Sequence, residues 1–335
     1  MPAPTPKSGR LQRRVVQQPW VANSQTAYDL PRGYDLNAVQ VRVSGTIIVT
    51  VAVTAIRANA PAQLISSIDV FADGNKNYNQ NNGIMTAIGN AQRQFASSLA
   101  PPGAVAPATY TVSASYRLDR VNADGPRPKD SSLHTVIPFM SLLQCRLTTG
   151  AATDIFDMTA GTLTTITLNN EISLDETMEF NPADRLEGRF IKRISFQDST
   201  PTAANTNLQF QLPVGQYLRG VHIFATDSAA ANPDTGSNVL INNVLIRSGV
   251  DRRIDLPYDI LRSQNSNAYK VPIATVPPGY AFGDCCPDGR LNQLFDLRGV
   301  SQAFLELDVA APVNTARIRL QIEEFMWQEG IAPAA

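Results

Sequence analysis

The chain has 335 residues, 43% of them hydrophobic and only 17% charged, with 28 Lys and Arg against 29 Asp and Glu for a net charge of −1. That length exceeds what one hydrophobic core usually serves and favours two domains of ordinary size, and the composition excludes disorder over most of the chain. No stretch approaches the run of about 18 apolar residues that a spanning helix needs, and the start lacks the apolar core of a secretory signal, so the protein is expected to be made and used without entering the secretory route.

Residues 1–18 stand apart. They open with Pro2, Pro4 and Pro6 and carry Lys7, Arg10, Arg13 and Arg14 with no acidic residue, which leaves the remaining body near −5. Such a segment buries too little apolar surface to fold alone, so it is expected to be an arm that is mobile or ordered only by a partner. Leu11 and Val15, four apart, would give it one weak apolar stripe. Its four cations would gain about 1 kcal/mol each near an anionic membrane surface, or would neutralise nucleic-acid phosphates; a solvated tail is the plain alternative.

The first module is placed at 19–185. After the turn Leu30-Pro31-Arg32-Gly33 the chain alternates, with Val39, Val41 and Val43 on one face and Gln40, Arg42 and Ser44 on the other, the period-two signature of a half-buried strand. Residues 46–56, rich in β-branched side chains, read as a buried strand. The block Leu64-Ile65-Ser66-Ser67-Ile68-Asp69-Val70 runs into a turn at Asp73-Gly74, and Ile84, Met85 and Ile88 then have helical spacing. Pro- and Ala-rich loops at 100–108 and 124–128 follow, with strand-like runs at 136–147 and 163–168. Asn181-Pro182-Ala183-Asp184 is a turn cluster, and the boundary is placed there.

The second module, 186–335, repeats the first. Leu212-Pro213-Val214-Gly215 matches the earlier turn at an offset of 182 residues, and Leu240-Ile241-Asn242-Asn243-Val244-Leu245-Ile246 matches the later block at 176. Val221, Ile223 and Ala225 alternate with His222, Phe224 and Thr226, Ser248-Gly249 makes the turn, and a helix is expected from Pro257 through Ile260 and Leu261. The last strand sets Ile318, Leu320 and Ile322 against Arg317, Arg319, Gln321 and Glu323. The fold class is therefore all-β: two eight-stranded antiparallel jelly-roll sandwiches in tandem, each with a short helix. Immunoglobulin-like sandwiches are the alternative, although they are usually shorter and lack the recurrent helix.

Chemical motifs are few. Cys145, Cys285 and Cys286 are an odd number without metal or redox spacing and read as free, mostly buried thiols. A Ser-His-Asp arrangement would need His134 or His222, neither accompanied by a nucleophile elbow, so a surface or hydrogen-bonded structural role is expected for both. Asp73-Gly74-Asn75-Lys76-Asn77-Tyr78-Asn79 spaces oxygen ligands like a calcium loop, but Tyr78 and Ile84 stand where such a loop needs Gly and Glu. It reads as a turn. Asp154 and Asp157 could hold structural calcium between subunits, but nothing local demands it, and no cofactor is predicted. Trp20 and Trp327, near the module ends, read as packing residues.

The run Asp29-Leu30-Pro31-Arg32-Gly33-Tyr34-Asp35-Leu36, the Val-rich strand after it, and the stretch from Leu64 to Gly74 resemble the coat proteins of tailless icosahedral bacterial viruses with an internal membrane, the corticovirus type and its relatives. The resemblance covers the first module directly and the second through the repeat. It implies a double jelly-roll major capsid protein and no enzyme: a homotrimer that tiles the virion shell beside neighbouring capsomers and minor capsid and vertex proteins, made in the host cytoplasm. It also implies an amino-terminal arm at the inner face near the vesicle, which suits Lys7, Arg10, Arg13 and Arg14. Two readings from other classes stay open, a carbohydrate- or receptor-binding sandwich such as a virion spike, and a two-domain β-rich hydrolase.

Overall fold

The computed structural model describes residues 8–74, 76–92, 106–119, 133–135, 140–179, 189–229, 233–273, 276–287 and 293–328. Its first half contains strands β1 (Ser8–Pro19), β2 (Gln25–Asp29), β3 (Asp35–Val51), β4 (Ile65–Ala72) and β5 (Lys76–Asn82), helix α1 (Gly83–Gln92), then β6 (Ala108–Asp119), β7 (Leu143–Thr149) and β8 (Thr162–Glu179). The second half contains β9 (Arg189–Ser199), β10 (Asn205–Leu212), β11 (Tyr217–Ser228), β12 (Ile241–Ser248), β13 (Asp251–Pro257), α2 (Tyr258–Tyr269), β14 (Tyr280–Asp284), β15 (Ala303–Val309) and β16 (Thr315–Gln328). Two-residue strands and 3-10 turns fill some of the connections.

These strands run in four groups of four, β1-β8-β3-β6, β2-β7-β4-β5, β9-β16-β11-β14 and β10-β15-β12-β13, of which the second and third join edge to edge into one continuous sheet. Each half thus interleaves its first, eighth, third and sixth strands in one sheet and its second, seventh, fourth and fifth in the other, which is the jelly roll. Every strand has its counterpart eight strands later. The two halves are joined sheet to sheet, because β9 runs parallel to β5 where Ile194 meets Asn79.

The repeat is physical as well as topological. In β4 the buried positions are Ile65, Ile68, Val70 and Ala72, and in β12 they are Ile241, Val244, Ile246 and Ser248, the same pattern residue for residue. Strands β7 and β15 likewise bury alternate residues from first to last. Gly33 and Gly215, which end the two Leu-Pro-x-Gly turns, both have positive φ, 122° and 86°, a region that side chains other than glycine rarely adopt.

Several elements differ from the sequence reading. Residues 8–19 are not an arm awaiting a partner: they are β1, paired antiparallel with β8 from Ser8 opposite Glu179 to Pro19 opposite Asn169. This 12-residue strand, mostly polar and without a clear alternation, gains its backbone hydrogen bonds from a neighbour distant in sequence, which local composition does not reveal. The runs read separately around 39–44 and 46–56 are one strand, β3. Gly45 does not break it but lets β8 approach, since a β-carbon there would stand 1.9 Å from the Thr167 carbonyl oxygen. The run at 163–168 extends to Glu179, through Asn, Asp and Glu residues of low strand propensity. The strand sought at 136–147 is Leu143–Thr149; residues 136–139, the boundary cluster at 181–184, the loop at 124–128 and most of that at 100–108 lie outside the described residues.

One core fills the first sandwich, from Val39, Val41 and Val43 to Ile68 and Tyr116, and a second fills the other, around Val221, Ile223, Leu305 and Leu320. The first core also takes in Ile191, Phe224 and Tyr280 from the second half. Trp20 is buried, and its ring nitrogen donates to the Leu64 carbonyl at 3.1 Å; the Trp327 side chain lies outside the described residues.

Candidate functional site at the seam between the sandwiches

Where the halves meet, the face of β11, β16 and β9 that carries polar and charged residues lies under α1, while β5 continues the sheet beside β9. Alternation had marked His222, Phe224 and Thr226 as the outward side of a half-buried strand, yet every residue from Leu218 to Thr226 is buried. The signal for this lies in α1, which carries no charged residue and only a narrow polar stripe at Thr86 and Asn90, a composition suited to a helix that is covered rather than solvated.

His222 is central. Its Nδ1 lies 2.5 Å from the Tyr280 hydroxyl and its Nε2 2.9 Å from Glu323 Oε1, and the ring stacks on Phe282 with centroids 4.1 Å apart. Glu323 Oε1 also takes the Lys192 ammonium at 2.8 Å. Three strands of the second half, β16, β9 and β11, thereby place an acid, a base and an imidazole under the helix of the other sandwich. From the first half, the Asn82 amide donates to Gln321 Oε1 at 3.1 Å, while Asn79 donates to Asn81 and Asn81 to Thr86 at 2.9 and 3.3 Å. A cavity of about 30 Å³ remains among Asn81, Thr86, Asn90, Lys192 and His222, room for about one water. Further along, Asp234 is ion-paired with Arg319 and accepts from Gln63 Nε2 at 2.8 Å.

This network is suited to fixing geometry. Buried polar groups must all find partners, and those that do so specify one arrangement more sharply than an apolar contact does. Glu324, next along β16, faces the end of the second core; burial pushes its carboxyl up to about 7 against the opposing pull of Arg193 and of the Gln216 amide.

The sequence-predicted site residues lie on β1, in the β1-β8-β3-β6 sheet of the first sandwich. Arg10 makes a two-pronged pair with Asp175, with Nε 2.8 Å from Oδ1. Arg13 grips the buried Glu176 at 2.8 and 3.1 Å, and Arg14 lies 3.4 Å from Glu171. Asp175 is raised by burial but held, on balance, below the usual carboxylate range by the guanidinium groups of Arg10 and Arg117. Three of the four cations are therefore matched by carboxylates of β8. Lys7 lies outside the described residues.

Other expectations resolve locally. Asp73, with φ of 52°, accepts from the Ser141 hydroxyl and the Ser141 and Leu142 amides at 2.7 to 3.1 Å, which holds its carboxyl down at about 2. It ties a turn. Asp154 accepts from the Ala151 amide and pairs with Arg57, and Asp157 accepts from Thr159. Cys145, Cys285 and Cys286 are free and buried, and burial pushes the first two thiols up to about 12. His134 pairs through its backbone with Asp35; its side chain lies outside the described residues.

No family model matches the chain, and no curated protein matches it in sequence. Solved structures do. The major capsid protein of Sulfolobus Turreted Icosahedral Virus superposes with a TM-score of 0.74 at 12% identity, covering 97% of each chain. The major capsid protein P2 from bacteriophage PM2 gives 0.62 at 11% identity over 96% of this chain and 98% of its own. A subunit of the PBCV-1 virus capsid gives 0.65 at 10%, over 99% and 97%. Identities this low speak to architecture alone, and the architecture is the double jelly roll that these capsid proteins share.

Proposed function

We propose that this chain is a major capsid protein, a structural subunit that forms homotrimeric, pseudo-hexagonal tiles of an icosahedral virion shell over an internal membrane. The observation that carries the reading is the pair of complete eight-stranded sandwiches in one chain, matched over nearly its whole length by the capsid proteins named above. Two similar modules per chain let three chains present six near-equivalent edges, so identical tiles can close a shell. The role is structural rather than catalytic: both ring nitrogens of His222 are engaged by Tyr280 and Glu323, and the buried thiols are held protonated. Neighbouring capsomers and minor capsid and vertex proteins are its partners in the virion, after synthesis in the host cytoplasm.

The membrane contact assigned to the amino-terminal segment rests on its charge. With Arg10, Arg13 and Arg14 matched by β8, that contact falls to Lys7 and the residues before Ser8. Electron microscopy of the purified protein under assembly conditions tests the main reading: trimers and closed shells are expected, and a protein that stays monomeric at every concentration overturns it.

A further inference from the structure

The neighbours of His222 fix its proton. Nε2 lies 2.9 Å from Glu323 Oε1, and an ionised carboxylate only accepts, so the ring carries its hydrogen on that nitrogen. Nδ1 is then the acceptor and takes the hydroxyl hydrogen of Tyr280 across 2.5 Å. This is the neutral imidazole, held in one tautomer from both sides.

The charges around the ring are balanced without it. Glu323 would favour a second proton on His222, but its charge is already met by the Lys192 ammonium of β9 at 2.8 Å. Arg117 and Asp119 of β6, which border the cavity beside the ring, meet each other at 2.6 Å. From β14 the ring faces Tyr280 and the flat side of Phe282, from β5 Asn81, from β16 also Gln321, and from α1 Thr86, Gly89 and Asn90. Lys192, His222 and Glu323 are 4%, 4% and 3% exposed, so water does little to screen them.

A proton added in acid therefore meets a closed account of charge. Placed on Glu323, it would leave the buried Lys192 ammonium without a carboxylate, which is the costlier choice. Placed on His222, it reverses one hydrogen bond: Nδ1 must now donate, and the phenolic hydrogen of Tyr280 must leave it. That bond is where α1 is seated, since the Tyr280 oxygen is the atom nearest to a β-carbon built on Gly89, at 3.0 Å. The helix has no charged residue with which to meet the new cation.

We propose that His222, with Tyr280, Glu323 and Lys192, is an acid-operated latch on the seam. At neutral pH it holds α1 down on the second sandwich; a second proton on the ring loosens α1 while both sandwiches keep their cores. A ring held neutral binds fewer protons in the closed seam than in an open one. The closed seam is thus favoured above about pH 6.5, where a free imidazole is mostly neutral, and is lost as the pH falls below it. Glu324 acts in the opposite sense and at the end of the second core, so the latch is read locally at α1. It operates within one chain and is independent of shell assembly.

Hydrogen exchange of the full-length protein, expressed as protection factors so that the intrinsic pH dependence cancels, tests this. In the wild type the protection of residues 83–92, relative to β12 and β15 in the sheet across the second core, is expected to fall at least about tenfold between about pH 7.5 and pH 5. His222→Gln, whose amide donates to Glu323 and accepts from Tyr280 without ever charging, is expected to keep its protection over that interval. No fall in the wild type, or an equal fall in the variant, overturns the proposal. The chain has only two histidines, so nitrogen-15 labelling of histidine, with His134→Gln for assignment, reads the ring directly even where His222→Gln does not fold. A neutral ring protonated on Nε2 at about pH 7.5 is expected, gaining its second proton over the interval in which α1 loses protection. A ring already doubly protonated at the upper pH, or still neutral at the lower, leaves no latch.

Discussion

A β-carbon on Gly89 would stand 3.0 Å from the phenolic oxygen of Tyr280, so the helix of one sandwich and the sheet of the other touch with no space for a side chain between them. Gly89 is in mid-helix, where glycine ordinarily costs about 1 kcal/mol relative to alanine; closeness to the other half is what the residue provides. Gly89→Leu is expected to destabilise the protein by about 1 to 3 kcal/mol through overpacking, measured by denaturant unfolding. A stability equal to wild type would mean that the seam opens freely at this point.

Glu323 holds two partners at one oxygen, Lys192 and His222. Glu323→Ala leaves a buried ammonium without its carboxylate and is expected to cost about 3 to 5 kcal/mol. Lys192→Met in the same chain is expected to recover much of that loss, since an apolar replacement of a whole buried pair is often neutral. A double-mutant cycle gives the answer; additive losses would show that the pair is not coupled.

Stability should fall from mildly acid to neutral pH through Glu324. Its carboxyl titrates near 4.5 when free and at about 7 in the fold, because burial disfavours the anion. The folded state therefore holds this proton more tightly. The benefit is complete below about pH 4.5 and is lost as pH rises through about 7, with a span of about 3 kcal/mol. Glu324→Gln is expected to flatten that slope in unfolding curves taken between pH 5 and pH 8; an unchanged slope would assign it to other groups.

Arg13 and Arg14 are neighbours in sequence with opposite expectations. Glu176, the partner of Arg13, is fully buried, whereas Arg14 and Glu171 meet near solvent. Arg13→Ala is expected to cost about 3 kcal/mol and Arg14→Ala no more than about 0.5 kcal/mol. Removal of residues 2–18 takes away an edge strand and should lower the melting temperature clearly. An intact melting temperature after truncation would return these residues to the status of a detachable arm.

The sandwiches were legible in the sequence where one face of a strand meets its own core. Val39, Val41 and Val43, the Leu64 and Leu240 blocks and the two helices all carry a local period, and the turns at Gly33 and Gly215 carry a local backbone requirement. What escaped depends on partners distant in sequence. Arg319, Gln321 and Glu323 alternate with apolar residues as any solvated face would, and only the absence of charge from α1 hints that something must cover it. Strand β1 escaped for the same reason: its cations look unpaired until Asp175, Glu176 and Glu171 arrive on β8.

Ile191, Phe224 and Tyr280 belong to the second half of the chain yet pack into the core of the first. The two sandwiches are therefore one cooperative unit in spite of their resemblance. Severing the chain within 180–188 would yield fragments that each lack part of a hydrophobic interior, and their natural fate is to recombine without a covalent link. Two halves alike in topology are thus complementary in their interiors, and neither is a spare for the other.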